Sequence, residues 1–199
     1  EGGKGNLVPS CATLVREGMD VTVESEELTA SRKMCLSLLV SDHCGDCLPP
    51  CQDACPSSID IRGFLALVRE GREAEAARLI REQAPFPGIL GRVCPRPCED
   101  VCRRNRVEEA ISICYMKRYI ADSELKEAGK PRFPVPAPDT GKKVAVIGAG
   151  PAGMSAAYFL RLQGHSVTVF EAHAKTGGML RYGIPYYRLP DSVIHTEMD

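Results

Sequence analysis

In the first part of the chain, segments with regularly spaced apolar residues are separated by short polar segments. Residues 20–24 (DVTVE) alternate apolar and polar side chains, which predicts a short strand. Ser25, followed by two acidic residues, is typical of a helix start, and the helix predicted there carries an apolar stripe that includes Cys35. We therefore expect Cys35 to be a small buried core residue and not a ligand.

The middle of the chain contains three further segments with helical spacing. Residues 60–70 and 72–82 place apolar side chains three or four positions apart and are separated by a glycine, which predicts a short helical hairpin. Residues 108–128 predict a longer helix that ends at a glycine. Cysteine and proline interrupt residues 44–55 and 88–102, and we expect both of these segments to be loops.

The character of the sequence changes after a proline-rich stretch at residues 131–141. Residues 143–147 (KVAVI) and 166–170 (SVTVF) have the pattern of strands, and residues 152–163 between them have the pattern of a helix. A strand, a helix and a second strand in this order predict a parallel βαβ unit.

Composition and charge exclude several classes of protein. The chain has 199 residues with 25 basic and 26 acidic side chains, and 44% of its residues are hydrophobic, which excludes a disordered or collagen-like chain. The formal net charge of −1 argues against a nucleic-acid or anionic-membrane surface. No apolar run approaches the roughly 20 residues of a membrane span, so we expect none.

The ten cysteines are the unusual feature of the composition. Secreted disulfide scaffolds are usually shorter than this chain and lack a nucleotide-binding motif. We therefore expect a cytoplasmic protein in which thiolates serve as metal ligands. Eight of the cysteines form two groups, CGDCLPPCQDACP and CPRPCEDVC with one later cysteine: Cys44, Cys47, Cys51 and Cys55, then Cys94, Cys98, Cys102 and Cys114.

This spacing favours iron–sulfur clusters over zinc. A cubane cluster needs several thiolates within reach of one centre, and bacterial two-cluster ferredoxins use a related run in which the last cysteine before a proline serves the other cluster. Structural zinc sites prefer two CxxC pairs, whereas only Cys44 and Cys47 form such a pair here. We predict two [4Fe–4S] clusters with exchanged ligands; zinc and unliganded cysteines are the alternatives, and His43 is expected to be a loop histidine.

The second half of the chain carries a dinucleotide-binding motif. The sequence GAGPAG follows the first predicted strand directly and opens the helix, with Gly148, Gly150 and Gly153 in the GxGxxG pattern and Pro151 between them. The glycines allow a tight turn and a close approach of the backbone to a pyrophosphate at the helix N-terminus. Glu171 ends the second strand, where its carboxylate is placed to accept a bond from a ribose hydroxyl and disfavours a 2′-phosphate.

A second glycine pair, Gly177 and Gly178, follows the acid and resembles the pattern of flavoproteins with two dinucleotide domains. This resemblance favours FAD over NADP at the site. Arg181 and Tyr182 line the flavin crevice in this interpretation, and structural packing is the alternative for both. A structural βαβ unit with an empty site is the competing interpretation.

The fold class predicted from all these patterns is an α-helical ferredoxin-like domain with two clusters, followed by the start of a Rossmann-type α/β domain.

Residues 44–190 resemble a known family. The strings CGDCLPPCQDACP, GRVCPRPCEDVC, VAVIGAGPAGMSAAYFL and GGMLRYGIPYYRLP are similar to the small subunit of NADPH-dependent glutamate synthase. They are also similar to the N-terminal half of dihydropyrimidine dehydrogenase and to related ferredoxin–NADP transhydrogenase subunits. Residues 8–43 instead resemble the tail of the [2Fe–2S] domain in the large iron–sulfur subunit of respiratory complex I. In that pattern Cys11 is the last of four ligands, and its partners lie upstream of residue 1.

The resemblance implies a division of the cysteines between two clusters. It assigns one cluster to Cys44, Cys47, Cys51 and Cys102, and the other to Cys55, Cys94 and Cys98. The fourth ligand of the second cluster in these relatives is an oxygen side chain, and an ungapped match places Lys117 there. Because a protonated lysine cannot ligate, we predict that Cys114, one helical turn earlier, is the fourth ligand.

The domain organisation follows from these assignments. We expect residues 1–42 to be the tail of an upstream [2Fe–2S] domain with a connecting helix, and residues 43–130 to hold the two clusters. Residues 131–141 are the linker, and residues 142–199 are the first part of an FAD/NAD(P)-binding domain. Because two strands cannot complete such a sheet, we expect the sequence to be an excerpt of a longer polypeptide.

The function that the resemblance implies is electron transfer in an NAD(P)H-dependent oxidoreductase. Flavin connects the two-electron chemistry of a nicotinamide to one-electron carriers, so the expected path runs from NAD(P)H to FAD and through the two clusters to a redox partner. That partner is the upstream [2Fe–2S] domain, or a ferredoxin-like or catalytic subunit. No catalytic side chain is predicted. The alternatives are a non-enzymatic electron-transfer or docking module and a zinc-stapled scaffold.

Overall fold

The computed structural model describes residues 7–42 and 47–198, in two compact units, Glu1–Cys47 and Leu48–Asp199. In the first unit a short 3-10 turn, Ser10–Ala12, precedes one long helix, α1 (Glu26–Ser41). The helix begins as predicted, because the Ser25 hydroxyl accepts a hydrogen bond from the Leu28 amide at 3.1 Å.

Two expectations for this unit are wrong. Residues 20–24 form no strand, and the Val23 carbonyl instead accepts a hydrogen bond from Arg32 at 3.0 Å. An alternating pattern becomes a strand only when another strand satisfies its backbone groups, and none of the described residues does so here. Cys35 is exposed, because α1 buries none of its residues within the described chain.

The second unit begins with six helices. Their order is α2 (Pro50–Asp53), α3 (Ile61–Arg69), α4 (Glu73–Arg81), α5 (Pro87–Val93), α6 (Pro97–Asp100) and α7 (Ile113–Ala128), with a 3-10 turn at Arg103–Arg106. The predicted hairpin is α3 and α4, which pack on each other and on α7. Phe64, Ile80 and Ile120 are fully buried at the centre of this core.

The segment 88–102 is not one loop, contrary to the sequence-based expectation. It contains most of α5 and all of α6, and each of these helices has a proline in its first turn. Proline at that position starts a helix because its missing amide proton has no intrahelical partner there in any case. The long helix α7 begins at Ile113, five residues later than the pattern indicated.

Helices α5 and α7 pack with their backbones in close approach at Gly91. A Cβ atom added to Gly91 would lie 2.6 Å from the backbone nitrogen of Arg118. Only glycine therefore fits at this crossing, and the close approach fixes the position of the C-terminal end of α5, where Cys94 follows.

The rest of the second unit is a small α/β element. Strands β1 (Lys143–Ile147) and β2 (Ser166–Phe170) pair in parallel, with Val144 opposite Val167, and α8 (Pro151–Leu162) connects them. These three elements lie within about one residue of their predicted bounds. Two helices that the pattern did not indicate follow, α9 (Met179–Tyr182) and α10 (Asp191–Met198). The predicted fold class is confirmed. The described chain has a mainly helical region followed by the start of a Rossmann-type α/β domain.

Buried contacts join the helical region to this α/β element within the second unit. Side chains from α10 and from the segment before it, including Ile194 and Leu189, pack against Phe86 and Ile89 at the start of α5. The Tyr158 hydroxyl of α8 donates a hydrogen bond to the Arg81 carbonyl at 3.1 Å. Across residues 7–42 and 47–198, no helix combines the length and apolar character needed to traverse a lipid bilayer.

Candidate metal centre and nucleotide site

Three of the predicted cysteine ligands line one cavity in the helical region. Cys55 follows α2, Cys94 ends α5, and Cys98 lies in α6, so three separate short elements bring their thiols together. The remaining walls are apolar apart from one lysine: Pro56, Ile59, Ile61, Pro97, Ile113 and Lys117. A set of thiols in an apolar enclosure has the donor chemistry of an iron–sulfur site.

Cys114 is held next to this cavity, in the first turn of α7. Its side chain is buried, and its sulfur lies 3.5 Å from the carbonyl oxygen of Gly91 and 3.6 Å from that of Leu90. A side-chain hydrogen bond from Cys114 is the main influence on Cys94 and lowers the pKa of Cys94 to about 5. Burial opposes this shift, while the Arg96 amide, 3.4 Å from the Cys94 sulfur, supports it.

The same contact has the opposite effect on the donor. The hydrogen bond to Cys94, followed by burial, raises the pKa of Cys114. Burial also raises the pKa of Cys98 to about 11, against the influence of Lys117. The pKa of Cys94 therefore lies well below that of its neighbour Cys114.

Cys51 and Cys102 lie near each other in the second unit. Helix α2, which carries Cys51, packs on α6, and Cys102 follows α6 by two residues. Burial raises the pKa of Cys51, and the charge of Cys102 adds to that increase while Arg62 opposes it. Cys47 belongs to the first unit and is exposed. Cys44, predicted as a ligand with these three, lies outside the described residues.

The arrangement differs from that of a single-ion site. Within the described parts of the chain, no three histidine, cysteine, aspartate or glutamate side chains converge as the ligands of one metal ion do. In a cubane cluster each of four irons takes one protein ligand, so the ligating sulfurs stand farther apart than around a single ion.

Sequence reasoning missed the burial of Lys117. It is 4% exposed and lies in the wall of the cavity that Cys55, Cys94 and Cys98 line. A signal was present, because Lys117 is three residues after Cys114 on one helix and so shares its face. A lysine on the face of a predicted ligand is a candidate for a buried charge.

The glycine loop has the predicted geometry between β1 and α8. Gly148 has φ of +95°, which favours glycine, and a Cβ atom on Gly153 would lie 2.0 Å from the Gly148 carbonyl oxygen. At Gly150 the nearest atom to an added Cβ is the Cα of Gly178 at 4.0 Å, so a small side chain would fit there without a clash. Pro151 occupies the first turn of α8, whose N-terminus faces the same loop. The loop fits the diphosphate of a dinucleotide.

Glu171 is hydrogen-bonded to two backbone amides. Its carboxylate accepts hydrogen bonds from the Ala149 amide at 2.7 Å and from the His173 amide at 2.8 Å. The amide bonds, first that of His173 and then that of Ala149, lower the pKa of Glu171. The acid therefore lies beside the glycine loop, as the predicted ribose contact requires.

The second glycine pair folds onto the first loop. The Gly177 amide donates to the Ala149 carbonyl at 2.7 Å, and a Cβ atom on Gly178 would lie 2.9 Å from the Cα of Gly150. Arg181 is 6% exposed at its side chain, donates to the Thr176 carbonyl at 2.7 Å and pairs with Asp191 at 3.1 Å. These contacts favour the packing interpretation of Arg181.

Comparisons with known proteins agree with this geometry. The family model described as dihydropyrimidine dehydrogenase domain II, 4Fe-4S cluster, matches residues 22–129, and an NAD(P)-binding Rossmann-like domain matches residues 146–192. The chain thus combines an iron–sulfur domain with a dinucleotide-binding fold. It belongs to the family of dihydropyrimidine dehydrogenase domain II, which confirms the resemblance drawn from the cysteine and glycine motifs.

Curated relatives of this chain are oxidoreductase subunits. The chain is 42% identical over 170 residues to the NADP(+)-dependent formate dehydrogenase subunit beta of Moorella thermoacetica, covering 75% of this chain and 24% of the relative. It is 38% identical over 158 residues to the glutamate synthase [NADPH] small chain of Mycobacterium tuberculosis, covering 79% and 32%. For the NAD-dependent dihydropyrimidine dehydrogenase subunit PreT of Escherichia coli the identity is 37% over 176 residues, covering 87% and 42%. The chain spans less than half the length of each of these relatives.

Proposed function

We propose that the chain is the electron-transfer portion of an NAD(P)H-dependent flavin and iron–sulfur oxidoreductase. In this proposal electrons pass between FAD and one-electron carriers through two [4Fe–4S] clusters. The observation that carries the proposal is the cavity lined by Cys55, Cys94 and Cys98, with Cys114 hydrogen-bonded to Cys94. The glycine loop lies in the same compact unit as these cysteines, and the names of the relatives agree with the proposed class.

The proposed ligands of the second cluster are Cys55, Cys94, Cys98 and Cys114. Four chain segments position them: the end of α2, the end of α5, α6 and the first turn of α7. The Glu99 carboxylate accepts a hydrogen bond from the Cys114 amide at 2.8 Å, which holds the start of α7 against α6. We propose Cys44, Cys47, Cys51 and Cys102 for the first cluster, and the proximity of Cys51 and Cys102 supports that set.

The residues at the nucleotide site support FAD binding. Gly150 has no side chain to block a diphosphate, and the N-terminus of α8 favours its negative charge. Glu171 is available to a ribose hydroxyl once it releases the Ala149 amide. Bound FAD exchanges electrons either in pairs or singly. Gly177 and Gly178 hold the following segment against the loop.

The remaining assignments are proposals of the same kind. The relatives named as subunits support a redox partner for the complete protein, and we propose the upstream [2Fe–2S] domain, of which residues 1–42 are the tail, or a ferredoxin-like or catalytic subunit. Cytoplasmic localisation and the division at residues 43–130, 131–141 and 142–199 stay predictions.

The first test is the iron and acid-labile sulfide content of the chain purified without oxygen. We expect about eight irons and eight sulfides per chain, as two cubane clusters require, and a reducible signal from each cluster. A Cys98→Ser variant should lose about half of the iron, whereas Cys35→Ser, an exposed cysteine of α1, should retain all of it. Stoichiometric zinc without sulfide would overturn the proposal.

The flavin part is tested separately on the complete protein, because two strands alone are expected to bind FAD weakly or not at all. The fluorescence of added FAD should decrease when FAD binds to the protein. NADP(+) should bind more weakly than FAD, because Glu171 disfavours a 2′-phosphate. A chain with both clusters that prefers NADP(+) over FAD would contradict the flavin assignment and leave the cluster assignment intact.

A further inference from the structure

Lys117 is a buried positive charge with no carboxylate to neutralise it. The side chain is 4% exposed in α7, and among the described residues no aspartate or glutamate forms an ion pair with it. Glu99, an acid on the neighbouring helix α6, instead accepts the Cys114 amide at 2.8 Å and lies 3.9 Å from Arg96. A buried ammonium without a counter-ion is costly, so the negative partner of Lys117 is to be sought in the cavity.

The groups that face Lys117 are the sulfurs of the cavity. It lines the wall together with Cys55, Cys94 and Cys98, and it stands one helical turn after Cys114. Its charge lowers the pKa of three sulfurs, those of Cys94, Cys98 and Cys114. The negative charge opposite Lys117 is therefore that of cysteine thiolates and of whatever they bind.

We propose that Lys117 is a positioning residue that raises the reduction potential of the second cluster by holding a positive charge against its cysteine ligands. This inference rests on the proposed function, because it requires a cluster on Cys55, Cys94, Cys98 and Cys114. Reduction adds an electron and so one negative charge to a site whose thiolates are already negative. A fixed cation in a low-dielectric enclosure stabilises the reduced state more than the oxidised state, which raises the potential.

The enclosure makes Lys117 effective where a surface cation is not. Arg62 of α3 also acts on a cysteine of the chain, Cys51, but Arg62 is exposed to water. Charges in water are weakened by the high dielectric constant and by salt. Arg62 is therefore the matched control, since it is a cation near a ligand of the first cluster without burial.

The experiment is a potentiometric titration of the full chain, monitored by electron paramagnetic resonance, for wild type, Lys117→Met, Lys117→Arg and Arg62→Met. We expect Lys117→Met to lower the midpoint potential of one cluster by at least about 59 mV, which is a tenfold change in the one-electron equilibrium constant. The midpoint potential of the other cluster should not change. Lys117→Arg keeps the charge and should restore the midpoint toward that of wild type. Arg62→Met should shift neither midpoint by a comparable amount.

The outcomes separate this inference from the proposed function. Lys117→Met with full iron and sulfide and wild-type midpoints would overturn the role of Lys117 and leave the two-cluster proposal intact. Equal shifts in Lys117→Met and Lys117→Arg would also overturn it, because shape and not charge would then set the potential. A wild-type chain without a second cluster would overturn both. If Lys117→Met loses helical circular dichroism, Lys117→Gln is titrated under the same criteria.

Discussion

Arg81 and Glu124 form a two-pronged ion pair inside the second unit. Nη1 of Arg81 donates to Oε1 of Glu124 at 2.8 Å and Nη2 donates to Oε2 at 2.6 Å, and both side chains are 1% exposed. The carboxylate also accepts the Arg132 amide at 3.1 Å, and the Phe133 ring lies 5.5 Å from the guanidinium. The pair thus joins α4, α7 and the start of the proline-rich segment.

Removal of one partner of this pair should destabilise the fold strongly. Arg81→Met leaves the Glu124 carboxylate buried without its cation, and we expect a loss of about 3–5 kcal/mol in the free energy of unfolding. The measurement is chemical denaturation of the chain without oxygen, followed by circular dichroism. The double variant Arg81→Met/Glu124→Leu should lose less, because it buries no unpaired charge.

An exposed ion pair of the same chain is the control for that experiment. Arg72 and Glu75 also form a two-pronged contact, at 2.7 and 2.8 Å, but their side chains are 48% and 58% exposed. Water and salt weaken such pairs, so Glu75→Gln should unfold at the same denaturant concentration as wild type. Equal effects of Glu75→Gln and Arg81→Met would contradict the role of burial.

Glu197 should make the stability depend on pH. Its carboxylate accepts the amides of Gly88 at 2.7 Å and Ile89 at 2.8 Å, and burial raises its pKa from 4.5 to about 7 although these bonds and two arginines lower it. Between those values the folded chain keeps a proton that the unfolded chain releases. The folded state then binds more protons, so stability falls as pH rises from 4.5 to 7 and is constant above 7.

The matched variant for this prediction is Glu197→Gln, which cannot titrate. Relative to Glu197→Gln, wild type should lose roughly 3 kcal/mol of unfolding free energy between pH 4.5 and 7, given its pKa of about 7. The comparison is made by denaturation at a series of pH values, and the difference between the two chains removes the titration of all other groups. Parallel pH profiles would show that Glu197 does not titrate in this range.

Cys114→Ser tests the fourth ligand of the second cluster. A neutral hydroxyl is a poor substitute for a thiolate, so we expect about half of the iron and one of the two cluster spectra to be lost. Cys35→Ser changes an exposed cysteine in the first unit and should leave both unchanged. If Cys114→Ser keeps the full iron content and both spectra, the ligand is another residue.

Two glycines of the nucleotide loop should respond differently to alanine. At Gly150 an added Cβ has 4.0 Å to its nearest neighbour, so Gly150→Ala should fold normally but place a methyl group where the diphosphate approaches. At Gly153 the same Cβ would lie 2.0 Å from the Gly148 carbonyl oxygen. Gly153→Ala should therefore lower the thermal midpoint as well as FAD affinity, whereas Gly150→Ala should lower affinity alone. Normal FAD binding by Gly150→Ala would place the diphosphate elsewhere.

The parts of the fold that sequence predicted well are those determined by local patterns. The bounds of β1 and β2 and the turn at Gly148 follow from alternation and glycine spacing within a few residues. Helix α5 was missed because its one proline and two glycines resemble a loop in isolation. What makes the segment helical is packing on α7 at Gly91, a contact between residues far apart in the chain.

The sequence predicted a set of cysteine ligands, which stays a prediction, and gave no indication of the surroundings of those cysteines. Spacing and family resemblance indicated which cysteines share a cluster, and Cys55, Cys94 and Cys98 do line one cavity. The bond between Gly88 and Glu197 spans 109 residues and that between Arg81 and Glu124 spans 43. Such pairings depend on tertiary structure, which no local pattern encodes.

Helix α5 has its two ends in two different sites. Its first amides are bound by Glu197 of the α/β element, and its C-terminal cap is Cys94 of the cysteine cavity. When two binding events order the same helix, each event favours the other, and the two effects are equal in size. In the proposed function, cluster loading at Cys94 and the docked position of α10 therefore favour each other by the same factor.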